Sequence, residues 1–82
     1  MPVTLGQIRQ LYTSLYSDTL SPIQINDAVN WFGQLHNDGV DDATAGNAAI
    51  ALVKSEGGVK LIAPEIKALQ HPLVKRYAPA GY

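Results

Sequence analysis

The chain has 82 residues, 46% of them hydrophobic, 6 Lys+Arg against 7 Asp+Glu, and no cysteine. A length of this order buries only about 60–65% of the unfolded surface, enough for one core and not for two. Without cysteine, disulfide staples and thiolate metal sites are excluded, leaving close helix packing or neighbouring chains to supply stability.

In chain order, Thr4 is placed to cap a first helix over about 4–16, because Leu5, Ile8, Leu11, Tyr12 and Leu15 recur on one helical face. Ser17-Asp18-Thr19 breaks it. The second start is the sharpest local signal: Ser21 as cap, Pro22 at the first helical position and Gln24 three residues after the cap, the pattern of a capping box. This helix, about 21–37, gathers Ile25, Ala28, Val29, Phe32 and Leu35 into one stripe, with Trp31 on its margin. Gly33 in the interior predicts a close backbone approach, since glycine there costs about 1 kcal/mol relative to alanine. Asn37-Asp38-Gly39 ends the helix, with Gly39 free to adopt a left-handed conformation.

Asp41 or Asp42 caps a third helix, about 41–56, rich in small residues: Ala43, Ala45, Gly46, Ala48, Ala49 and Ala51. Its main apolar face is Ala45, Ala48, Ala49, Leu52 and Val53, while Ala43 and Ile50 point nearly the opposite way. A helix apolar on two sides is central in its bundle or offers one side to a partner. The central position is preferred, with Ile50 retained as a contact candidate. After Gly57-Gly58, Val59 to Ala63 reads as a packed connector. Pro64 then opens a short helix with Glu65 at its positive end. His71-Pro72 predicts a kink, after which Ile66, Leu69, Leu73 and Tyr77 would continue one stripe. The expectation is an all-α single domain over 1–77, with three main helices, a kinked C-terminal segment over about 64–77, and a non-helical tail over 78–82.

The usual signatures of chemistry are weak or missing. The segment Asp38-Gly39-Val40-Asp41-Asp42 departs from the calcium-loop pattern, and its two later aspartates are accounted for by capping of the third helix. His36 suits the last turn of a helix, and joining it to His71 and Asp38 in a zinc site has no support in the spacing. No cysteine or G-x-S-x-G nucleophile is present, and Gly57-Gly58-Val59-Lys60 is too short for a phosphate loop and follows a helix. Accordingly no catalytic residue, metal, cofactor or small-molecule substrate is assigned.

Charge is uneven. Residues 1–42 carry Arg9 against Asp18, Asp27, Asp38, Asp41 and Asp42, a net −4, whereas residues 43–82 net +3. The two halves either neutralise each other within one molecule, the preferred reading, or meet between copies. A helix-turn-helix reading is opposed by Asp41 and Asp42 at the start of the would-be reading helix, where phosphate would be repelled. A basic surface of Lys60, Lys67, Lys75 and Arg76 beside Tyr77 keeps nucleic acid as a disfavoured alternative.

The remaining expectation is contact with other protein subunits, of the same or another kind. Its candidate residues are Trp31, Ile50, Lys75, Arg76, Tyr77 and Tyr82, because aromatics beside arginine are the usual anchors of interfaces. The chain reads as a non-enzymatic structural or adaptor subunit of a larger assembly, of a kind frequent among viral and mobile-element accessory components. A one-to-one inhibitor or regulator is the principal alternative. Met1-Pro2-Val3-Thr4-Leu5 lacks the character of a secretory signal, and the longest apolar run, Ala48 to Val53, is far short of a bilayer span. A cytoplasmic location, with incorporation into a larger particle, is the corresponding expectation.

Overall fold

A computed structural model describes residues 3–82; Met1 and Pro2, at the head of the segment read as non-secretory, lie outside them. Five helices follow in order: α1 (Leu5–Tyr16), α2 (Pro22–Asn37), α3 (Asp42–Glu56), α4 (Ala63–Leu69) and α5 (Pro72–Lys75). The all-α class is as expected from the sequence, and no helix among the described residues is long and apolar enough to cross a membrane.

The starts of the three long helices are set by local chemistry. The Thr4 and Ser21 hydroxyls accept from the Gln7 and Gln24 backbone N–H groups, and those glutamine side chains accept from the cap backbones in return. Asp41, not Asp42, caps α3, accepting from both the N–H and the hydroxyl of Thr44. These bonds satisfy donors that a helix start otherwise leaves unpaired and favour the carboxylate, so the Asp41 pKa lies below its ordinary value. Gly39 adopts φ +94° between α2 and α3, a conformation costly for other residues.

The first four helices run antiparallel in succession. Leu5 lies beside Gly33 while Arg9 bonds Asn26, Gly57 at the end of α3 lies beside Gln24 at the start of α2, and Lys54 meets Glu65 at one end of the α3–α4 pair while Thr44 and Gln70 share a groove at the other. α3 packs on α2 along one side and on α4 along another, which is why it is apolar twice over. All five residues of the expected α2 stripe are buried, as is the main face of α3.

Four details differ from the sequence reading. Ile50 is 1% exposed and belongs to the core, so it is not a surface contact. It lies on the α3 row between Gly46, whose carbonyl accepts from the Tyr12 hydroxyl, and Lys54, whose ammonium sits 5.6 Å from the Tyr16 ring centroid. The α1 tyrosines thus reach the residues one turn to either side of Ile50 on α3. In α1 itself only Ile8 and Tyr12 are buried, and Leu5, Leu11 and Leu15 are exposed, because this edge helix has α2 as its main neighbour.

The group nearest to Gly33 is a leucine tip, not a backbone: a Cβ there would meet Leu5 Cδ2 at 3.4 Å. Finally, the segment over 64–77 is two helices. His71 Nδ1 accepts from the Leu73 N–H and caps α5 with Pro72 behind it, which breaks the register. Leu69 and Val74 are buried, Leu73 and Tyr77 are half-buried, and Ile66 faces solvent.

Candidate protein-interaction site

Three of the sequence-nominated residues, Trp31, Arg76 and Tyr77, converge on one face built from α2, the end of α3, and the segment after α5. Trp31 and Tyr77 pack with ring centroids 5.1 Å apart and planes tilted by 59°. The Arg76 guanidinium lies 5.0 Å from the Tyr77 ring centroid. Both side chains end on one carboxylate: Arg76 Nη2 and the Tyr77 hydroxyl each donate to Asp38 Oδ2 at 2.9 Å, and Gln34 Nε2 donates to Oδ1 at 3.2 Å.

Asp38 terminates α2, where the negative end of the helix dipole opposes a carboxylate. The three donors more than compensate. The Tyr77 hydrogen bond above all, then those from Gln34 and Arg76, holds the Asp38 pKa below its ordinary value despite partial burial. The bond between Arg76 and Asp38 also ties the basic half of the chain to the acidic half at this one point.

Two shallow grooves flank the aromatic pair. One, of about 240 Å³, is lined by Asp27, Asn30, Trp31, Gln34 and Glu56. The other, of about 150 Å³, is lined by Leu52, Ser55, Glu56, Tyr77 and Pro79. Pro79 thus brings part of the 78–82 tail to the site, and Ala78 packs against the core. Lys75 and Tyr82 are exposed. Among the described residues, neither side chain makes a hydrogen bond, ion pair or ring contact with the cluster.

Both histidines are engaged elsewhere. His36 pairs with Asp42 and stacks on Phe32, and His71 caps α5, so neither joins Asp38. Among the described residues no three histidine or carboxylate side chains come together as a metal would need.

Sequence reasoning missed Asp38 as the organising residue, having read it only as a helix stop. Its partners stand 38 and 39 positions away, a separation with no local signature. Asp27 was likewise read only as one of the acidic half's charges, and position 56 only as the end of the third helix. Comparison with family models, with curated proteins and with solved structures gives no match for this chain.

Proposed function

We propose that this chain is a non-enzymatic interaction subunit that docks onto another protein through the face centred on Trp31 and Tyr77. The observation that carries this reading is the convergence of an indole, a phenol and a guanidinium on one pinned, groove-flanked surface, the residue types that dominate binding energy in protein interfaces. The pinning matters because groups ordered before binding lose less entropy on docking. Assembly into a larger particle, of viral or mobile-element type or otherwise, is the setting proposed for such a subunit.

The site also weighs against the nucleic-acid alternative. Arg76 is held by Asp38, and the grooves beside it carry Asp27 and Glu56, which repel phosphate.

Photo-crosslinking in producing cells tests the reading. With p-benzoylphenylalanine at Asn30, on the rim of the larger groove, discrete protein adducts are expected, and the same probe at Asp18 serves as the remote control. Equal labelling at the two positions, or none at position 30, would remove the Trp31 face as a docking surface.

A further inference from the structure

The groove lined by Asp27, Asn30, Trp31, Gln34 and Glu56 has a chemical character of its own. It presents two carboxylates, two carboxamides and an indole, and no cationic side chain. Among the described residues neither Asp27 nor Glu56 has an intramolecular hydrogen bond or ion pair, unlike Asp38, Asp41, Asp42 and Glu65.

Glu56 is also the last residue of α3. There the partial negative charge of the helix end opposes a carboxylate, and among the described residues no cationic side chain pairs with it as Arg76 pairs with Asp38. Asp27 adds a second negative charge to the same depression, and the Trp31 ring supplies an aromatic wall.

Resting on the docking reading above, we propose that this groove takes an arginine side chain from a basic segment of the partner protein. A guanidinium is planar, weakly hydrated and rich in donors. It can stack on an indole while donating to the carboxylates and carboxamide oxygens around it, and a Trp wall strengthens such a contact through its quadrupole. Charge complementarity excludes an acidic or phosphorylated segment, which would meet two unneutralised carboxylates.

The chain's own arginines do not supply this group. Arg9 donates to Asn26 and Arg76 to Asp38. With both arginines engaged within the molecule, the occupant proposed is a different protein rather than a second copy.

Titration of the full chain with the capped peptide Gly-Arg-Gly-Arg-Gly tests this directly, because Trp31 is the sole tryptophan and reports the groove. The arginine peptide is expected to shift Trp31 emission saturably. Its neutral citrulline counterpart is expected to bind about tenfold or more weakly, reflecting loss of the cation–π and charge-assisted contacts. Asp27→Asn with Glu56→Gln should reproduce that loss while leaving the circular dichroism unchanged, since neither carboxylate supports the fold.

Equal response to the arginine and citrulline peptides, or no response to either, would overturn the assignment. So would light scattering that shows self-association abolished by the Asp27/Glu56 double variant, since the occupant would then be another copy. Adducts at position 30 without an arginine response would sink the arginine proposal and leave the docking reading standing. Absence of both would sink the two together.

Discussion

Lys54 and Glu65 meet as a forked ion pair inside the protein, with Nζ 3.1 and 2.9 Å from the two carboxylate oxygens and side-chain exposures of 8% and 0%. The Glu65 carboxylate also accepts the Ile62 N–H at 2.9 Å and so helps to start α4. One carboxylate therefore fixes both the docking of α4 on α3 and the point where α4 begins. Tyr16 lies over the ammonium, and its hydroxyl pKa is raised, first by burial and then by the Glu65 charge.

Removing one partner leaves the other charge buried and unpaired. Glu65→Gln or Lys54→Met is expected to cost about 3–5 kcal/mol in a chemical denaturation experiment. The double variant Lys54→Met with Glu65→Leu should recover most of that loss, because it removes both desolvation penalties. A double variant as unstable as the worse single one would contradict the assignment.

Ile50 offers a second test, since a core position and an interface position respond differently to truncation. Ile50→Ala is expected to destabilise the isolated protein by about 2–5 kcal/mol, as buried isoleucines do. Unchanged stability in urea would return this residue to the surface.

Gly33 is predicted to accept a methyl group with profit. Its Cβ would make ordinary contact with the mobile tip of Leu5, and alanine restores up to about 1 kcal/mol of helix propensity. A lowered thermal midpoint for Gly33→Ala would mean that Leu5 cannot yield.

The Asp38 cluster makes the structure acid-sensitive in a defined direction. The folded pKa values of Asp38 and Asp41 are depressed from their ordinary 3.8, Asp38 chiefly by the Tyr77 hydrogen bond and Asp41 chiefly by the Thr44 N–H. Their contribution is thus fully present above that ordinary value and is lost as pH falls below it through the folded values. Urea midpoints followed from pH 7 to about pH 2 should fall on the acid side, and Asp38→Asn with Asp41→Asn should flatten that limb. Asp38→Asn alone should also perturb Trp31 emission at neutral pH, since it loosens the Tyr77 ring packed against the indole.

The main helix starts and stops were legible in the sequence because they are decided within four residues: Thr4, Ser21 with Pro22 and Gln24, and Gly39 each act locally. Asp41 and Asp42 were left as alternatives that only the Thr44 bonds separate, and the His71 cap of α5 was not foreseen. The α2 stripe was legible for a related reason, since a helix with one apolar side buries that side. Local patterning could not say how wide a strip a neighbour would cover, so α1 was assigned more core than it has, and Ile50 was left available for contact.

Sequence alone, then, determined the helical class and the caps of the first two helices and favoured the central place of α3, all of which follow from the identity and spacing of near neighbours. Tertiary structure alone decided that Lys54 finds Glu65, that Arg76 and Tyr77 find Asp38, and that Asp27 and Glu56 flank one indole. Those pairings join residues 11 to 39 positions apart, or different helices around one groove. Only the packing of one helix against another brings such side chains within hydrogen-bonding range, where desolvation makes their partners matter.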